Sequence, residues 1–285
     1  LSKLFSSVEI QKDSLGFYTK KNRGDYKSYT WDKYSKSFLS DKKVKNGVEF
    51  LKKYNKYIHK AYQEYKIPGE YIVAIIGIES NYGGYMGNHP VFDTLSTLAF
   101  KKNRRNKFFK KELKEYLKMT KRESVNPKVI KGSFAGAIGY PQFMPSNFKK
   151  VAVDLDENRT IRLDKPHDAI GSVANYFRIS GWKLGVPVAT RVSYKGSRFT
   201  RYKTGYKTKY NRNELKGIKP KKKFHYKDDV VLVKLKRDKY DELWYGTHNF
   251  RVITTYNHSE YYAMSVHMLA QKIKAQIKKD RLKNK

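Results

Sequence analysis

A mainly α-helical α+β chain with one small β-rich insert is the fold class this sequence predicts, and three observations carry the prediction. Apolar and aromatic residues recur at helical spacing toward both ends, as in VEFLKKYNKYIHKAYQEYK (residues 48–66). Short apolar runs punctuated by glycine fill residues 71–181 and read as short helices joined by tight loops. Only between 184 and 240 do β-branched residues cluster and partly alternate. With 285 residues the chain can bury a substantial core, as one large domain or as two to three closely packed subdomains.

In order along the chain, residues 1–70 are rich in Lys and Tyr and predict amphipathic helices, interrupted at Pro68-Gly69. The less charged stretch 71–183 predicts the core. VPVATRVSYKG and DDVVLVKLKRD predict strands on either side of a Lys/Tyr-rich connection, which makes 184–239 a small basic β-subdomain. Residues 240–257 are assigned back to the core. The last stretch, 258–285, predicts an amphipathic helix, apolar at Met264, Met268, Leu269, Ile273 and Ile277, that packs with the N-terminal region and ends in a basic tail. No internal repeat is present.

Charge narrows the partners. Lys and Arg total 62 against 26 Asp and Glu, a formal charge of +36, so the surface favours a polyanion: nucleic acid, anionic lipid or an acidic wall polymer. The absence of cysteine excludes disulfides, thiolate metal sites and Cys nucleophiles. No apolar run is long enough to span a bilayer, and LSKLFSSVEIQKD lacks the layout of a secretory signal, so an exported protein would be in its processed form. H-E-x-x-H and G-x-S-x-G do not occur, which leaves zinc proteolysis and serine esterase chemistry without footing.

The most informative residue is Glu79, where the run YIVAIIGI ends. A carboxylate at the C-terminal end of a buried helix faces the partial negative charge of unpaired carbonyls and loses solvent, and both effects favour the neutral acid. A carboxyl kept protonated in this way suits proton donation to a glycosidic oxygen; a lysine-paired surface glutamate is the plainer alternative. Gly83 and Gly84 follow, apt for a left-handed helix stop and an open backbone. Most glycoside hydrolases need a second carboxylate, and none presents itself. Asp93 precedes an apolar helical run and reads as an N-cap, while Asp154 and Asp156 fit a cation loop better. A lone glutamate serving as acid and then base suits a substrate that supplies its own nucleophile.

A second block, KGSFAGAIGYPQFMPSNF (131–148), combines small residues with Gln142 and Phe143, a polar amide beside an aromatic ring and a plausible sugar contact. Neither G-x-G-x-x-G nor a terminal G-K-[ST] occurs, so it is no phosphate cradle. IVAIIGIESNYGGYMG, GSFAGAIGYPQFMPSNF, DAIGSVANYFRISGW and WYGTHNFRVITTYNHSEYYAMSV, taken together and in order, resemble the lytic murein transglycosylase B family, glycoside hydrolase family 103, over residues 70–183 and 240–270.

That resemblance implies a lysozyme-like helical core with an attached helical domain and a small β-domain. It implies cleavage of the bond between N-acetylmuramic acid and N-acetylglucosamine without water, leaving a 1,6-anhydro product, with Glu79 as sole acid and base. Ser133, Gln142, Phe143, Tyr176, Tyr256 and Asn257 would line the glycan cleft, and Arg104 and Arg105 would meet stem-peptide carboxylates. Paired arginines bind carboxylates bidentately, although two solvated charges explain them equally well from sequence. The implied location is periplasmic, with an outer-membrane anchor before processing left open. The implied partners are peptidoglycan strands and stem peptides, with other wall enzymes left open; no specific nucleic acid is expected, and the protein would be a monomer.

DLDENRTIRLDKPHD places Asp154, Asp156 and Asn158 at alternating positions, with the Thr160 carbonyl and Asp168 completing an oxygen set suited to Ca2+. The loop resembles the family's modified EF-hand but has Arg159 where glycine is usual and Lys165 where a glutamate is usual, so a polar turn without an ion stays open. No cofactor is required for the chemistry. Two rivals remain: a single-strand nucleic-acid binder using Tyr194, Tyr202, Tyr206, Tyr210 and Tyr226 among the basic residues of 191–227, and a non-catalytic wall-binding scaffold. The first leaves Glu79 and the four blocks unexplained. His258 reads as a structural hydrogen-bonding residue rather than a base.

Overall fold

A computed structural model describes residues 2–19 and 29–283. The helices are α1 (Ser2–Ser6), α2 (Lys12–Thr19), α3 (Trp31–Ser35), α4 (Asp41–Lys53), α5 (Asn55–Tyr65), α6 (Gly69–Ser80), α7 (Val91–Phe100), α8 (Asn106–Arg122), α9 (Pro145–Val151), α10 (Pro166–Ile179), α11 (His248–Tyr256) and α12 (Glu260–Lys283). The strands are β1 (His89–Pro90), β2 (Lys131–Gly132), β3 (Ala189–Ser193), β4 (Lys209–Tyr210), β5 (Lys219–Pro220), β6 (Val230–Lys236) and β7 (Asp241–Gly246). The mainly α, α+β prediction holds. None of the described helices is long and apolar enough to cross a membrane.

Contacts divide the chain into two compact units, each assembled from separated segments: residues 1–26, 54–61 and 75–176 in the first, and 27–53, 62–74 and 177–285 in the second. Helices α5, α6 and α10 each contribute residues to both units.

In the first unit, α7 and α8 form the centre. Residues 91–99 of α7 are all buried, the sign of an interior helix, whereas α8 buries one stripe, Phe109, Glu112, Leu113, Tyr116, Met119 and Thr120, as its periodicity requires. Helix α9 begins on Pro145, whose fixed φ suits the first helical turn and whose missing N–H is no loss there. The buried carboxylate of Glu112 accepts the Ser146 N–H at 2.8 Å, which satisfies an open donor and places negative charge at the helix start. β1 pairs antiparallel with β2 and ties the segment after Glu79 to residues 131–132.

In the second unit, the five strands pair antiparallel in the order β4-β6-β7-β3-β5. Val230 and Leu232 face a cluster with Val192, Phe199, Leu215, Ile218, Leu243 and Tyr245. Val231, Val233 and Leu235 are buried too, and α12 packs on β6, so this strand is covered on both faces and reads as a continuous apolar run. Predicted strands 186–196 and 228–238 contain β3 and β6. β7 continues the sheet past residue 239, where the sequence suggested its end. Helix α12 packs on α3 and α4, and Lys52 reaches Asp280 at 2.9 Å. Met264, Leu269 and Ile273 are buried; Met268 and Ile277 are half-buried.

Candidate active site

Glu79 is the penultimate residue of α6, half-buried, after seven consecutive buried residues, Tyr71 to Gly77. The helix does not end on Gly83 and Gly84 alone. Asn81 (φ 51°), Tyr82 (φ 60°) and Gly83 (φ 87°) take left-handed backbone in succession, and Gly84 does not. Two non-glycine residues in that region are costly and persist only when the surroundings over-determine them. Here the surroundings do so. Ser80 Oγ accepts the Gly83 N–H at 3.1 Å, and the Tyr85 N–H returns to the Ser80 carbonyl at 2.9 Å.

Glycine is required twice at this turn. A Cβ on Gly77 would stand 2.6 Å from the Tyr82 ring, which folds back onto the helix, and a Cβ on Gly83 would stand 2.3 Å from the Tyr140 ring. The turn that follows Glu79 is thus held by two tyrosine rings, its own Tyr82 packed back on Gly77 and Tyr140 packed on Gly83. Tyr140 belongs to the GAIGYPQF block, yet nothing in its local pattern marks it as a packing partner 57 positions beyond Gly83; only the folded contact does.

That block closes on itself through the bridges Gly132–Ile138 and Ile138–Phe143. Ser133 Oγ accepts N–H groups of Ala135 (3.3 Å) and Ala137 (3.0 Å), leaving its own proton to give. Gln142, also at positive φ (49°), donates its amide nitrogen to the carbonyls of Met86 (3.0 Å) and Gly139 (2.8 Å). Its amide nitrogen therefore ties this block to the loop after Glu79, and its amide oxygen makes no hydrogen bond among the described residues. Phe143 is 1% exposed and its ring lies 5.8 Å from that of half-buried Tyr176. Phe143 is thus a core residue that supports Tyr176 rather than a surface for direct contact.

Arg104 and Arg105 are exposed at the entry to α8. The Arg104 guanidinium lies over the Phe17 and Tyr18 rings (5.9 and 5.4 Å) and donates to the Phe17 carbonyl at 3.2 Å, while Arg105 lies 4.0 Å over Phe108. Phe17 in turn packs on Phe134 at 4.8 Å, next to Ser133, and both rings are more than one-third exposed. Nothing in the sequence marks Phe17 and Phe134, because their pairing spans more than a hundred residues and neither sits in a recognisable pattern. Tyr256 and Asn257 lie in the second unit, at the end of α11, where the Tyr256 ring stacks near Tyr262 (6.3 Å) and Asn257 is exposed. The His258 ring stacks on Tyr206, whose hydroxyl donates to its carbonyl at 3.3 Å, a structural arrangement.

Asp93 does not cap α7. The N-cap position is Pro90, whose ring offers no hydrogen-bonding group, and Asp93 lies inside the first turn, buried, with Oδ1 unpaired among the described residues. Burial holds its pKa above the usual carboxylate range, with Lys128 opposing.

Asp154, Asp156 and Asp168 each bring a carboxylate oxygen within 4.8 Å of the others. The loop is shaped by its own acids: Asp154 accepts the N–H groups of Asn158 (3.1 Å) and Arg159 (2.7 Å), and Asp168 those of Leu155 (3.0 Å) and Arg162 (2.7 Å). Arg159 has φ 70°, the left-handed turn that glycine would occupy without strain. Asn158 Oδ1 accepts both the N–H and the hydroxyl of Thr160 (2.9 and 2.6 Å). Buried Asp156 Oδ1 has no hydrogen-bond partner among the described residues, and burial with the neighbouring carboxylates raises the pKa of Asp168. Three crowded carboxylates, with one Asp156 oxygen unpartnered among the described residues and the other 3.1 Å from His167 Nδ1, fit a divalent cation.

The family described as "Transglycosylase SLT domain" matches residues 1–271. The chain is 41% identical over 245 residues, 85% of its length and 67% of the relative's, to the membrane-bound lytic murein transglycosylase B of Escherichia coli. It superposes with TM-score 0.88 and 37% identity on the E. coli lytic transglycosylase SLT35 in complex with calcium, covering 96% of this chain and 86% of that one. It superposes with TM-score 0.83 and 28% identity on SltB3 of Pseudomonas aeruginosa in complex with NAG-NAM-pentapeptide, covering 95% and 73%.

Proposed function

The chain belongs to the transglycosylase SLT domain family, and from that premise we propose that it is a lytic transglycosylase that cleaves peptidoglycan strands with Glu79 as its acid and its base. The observation that carries the assignment of Glu79 is its place at the end of a buried apolar helix, just before a turn held by the rings of Tyr82 and Tyr140. In the first step the Glu79 carboxyl gives its proton to the oxygen linking the muramic C1 to the next sugar, and that C–O bond breaks. In the second step the Glu79 carboxylate takes the proton of the muramic C6 hydroxyl as that oxygen bonds to C1. The glutamic acid is regenerated, a 1,6-anhydro ring is formed and no water enters.

Ser133 and the Gln142 amide oxygen support glycan binding, since each has hydrogen-bonding capacity left after fixing its own loop. Tyr176, backed by Phe143, supplies an aromatic surface; Tyr256 and Asn257 are assigned to glycan binding by the family resemblance. Arg104 and Arg105 would pair with stem-peptide carboxylates; their guanidiniums are held on aromatic rings, which lowers the ordering cost of binding. Asp154, Asp156 and Asp168, with Asn158 and Thr160 beside them, would hold Ca2+, which neutralises crowded negative charge and braces the loop leading into α10. The related E. coli protein is named membrane-bound, which supports a periplasmic site of action for this chain. The test is product analysis: intact sacculi digested by the protein should release muropeptides lighter by one water than hydrolytic products, and hydrated reducing ends in their place would refute the reaction.

A further inference from the structure

The second unit contains a recess of about 860 Å3 that none of the steps above uses. It lies between the start of α6, the segment 182–191, β7 and α12, and it is lined by the half-buried indoles of Trp182 and Trp244 together with Tyr71 and His267. Its polar floor is a relay. Gln271 Nε2 donates to the Tyr71 hydroxyl at 3.2 Å, and that hydroxyl lies 2.9 Å from His267 Nδ1. The buried tyrosine hydroxyl has one proton to place, and Nδ1 is its acceptor; the imidazole then carries its own proton on Nε2. His267 is only 7% exposed, and Nε2 has no partner among the described residues. Burial holds the ring pKa down at about 4, so the ring is neutral near pH 7 and this tautomer applies.

The rim is cationic. Arg191 is paired with Glu242 (3.1 Å) and Lys274 with Glu70 (3.0 Å), whereas exposed Lys221 and Lys222 have no ion pair among the described residues. Indole surfaces, a lining imidazole with an N–H donor and two unmatched ammonium groups together select a ligand with ring faces, an acceptor oxygen and carboxylates.

We propose that this recess is a second binding site, taking an anionic muropeptide with its carboxylates at Lys221 and Lys222 and an acceptor oxygen at His267 Nε2. The identity of the ligand rests on the function proposed above; the anionic, ring-bearing chemistry rests on the recess itself. A soluble released fragment and an intact strand share that chemistry, and the length of the probe separates them.

Two of the three tryptophans line the recess and the third, Trp31, is 2% exposed, so intrinsic fluorescence reports on it locally. Titration of the full chain carrying Glu79→Gln with purified N-acetylglucosaminyl-N-acetylmuramyl tetrapeptide should give a saturable tryptophan signal. The double variant Lys221→Ala/Lys222→Ala, an exposed change that leaves the fold intact, should weaken that binding roughly tenfold or more, as should removal of the peptide from the probe. An absent signal, or affinities within about twofold for the double variant or the peptide-free sugar, overturns the proposal. Repeating the titration with isolated glycan strands tells whether the site holds strand or released fragment. Should the reaction prove hydrolytic, the product analysis fails while this titration stands; unchanged anhydro products with no tryptophan response sink the second site alone.

Discussion

Gly83→Ala is the sharpest packing test near Glu79. The alanine Cβ would lie 2.3 Å from two carbons of the Tyr140 ring and 2.6 Å from its hydroxyl oxygen, far inside van der Waals contact. Displacing a packed ring costs about 1–3 kcal/mol. Holding alanine at φ 87° adds about 1–2 kcal/mol, because its Cβ crowds the neighbouring carbonyl. The sum is a destabilisation of about 2–5 kcal/mol, read as a lower urea midpoint at unchanged slope. Activity should fall further than stability, since the shifted turn begins two residues after Glu79. Gly16→Ala is the control: its Cβ meets nothing within 4 Å in the middle of α2, so it should gain about 0.5–1 kcal/mol. A Gly83→Ala protein within about 1 kcal/mol of the parent would refute the clamped turn.

Three other outcomes follow from the same physics. His267 has a folded pKa of about 4 against an ordinary 6.5, so its contribution to stability is complete above 6.5 and is lost as pH falls toward 4; at about 1.4 kcal/mol per unit that is roughly 3 kcal/mol, and urea titrations of His267→Phe should lack this part of the pH dependence. Ca2+ should raise the melting temperature with a dependence on its concentration, about 2.7 kcal/mol of stabilisation at a hundredfold excess over Kd, and Asp156→Asn should abolish the shift; an unchanged melting curve in the parent protein refutes the cation site. Arg105→Ala should raise KM for peptide-bearing strands about tenfold while leaving kcat and the cleavage of peptide-free strands nearly unchanged, and equal effects on both substrates refute the carboxylate role.

Legibility in the sequence followed the range of the interactions. Helices α6 and α12 and strands β3 and β6 were visible because their apolar periodicity is local, and Glu79 stood out because it breaks an apolar run. The two-residue strands β4 and β5 were invisible, since their pairing is settled by neighbours elsewhere in the sheet. β7 is hidden because Asp241 and Glu242 open it; Glu242 is tolerated there through nearby Arg237 and through Arg191, which is distant in the chain. Asp93 misled for the converse reason: Pro90 sets the start of α7, and the acid falls inside the first turn. At the site, Ser133 and Gln142 lay in a recognisable block, while Phe17, Phe134 and Tyr140 entered through contacts that no spacing rule encodes.

In the proposed reaction one carboxyl, Glu79, performs both proton transfers. Mass spectrometry of sacculi treated with Glu79→Gln, with sedimentation alongside to score binding, isolates that role. The variant should stay bound to the wall and release no anhydro-muropeptides. Continued release at a rate near that of the parent protein would contradict it.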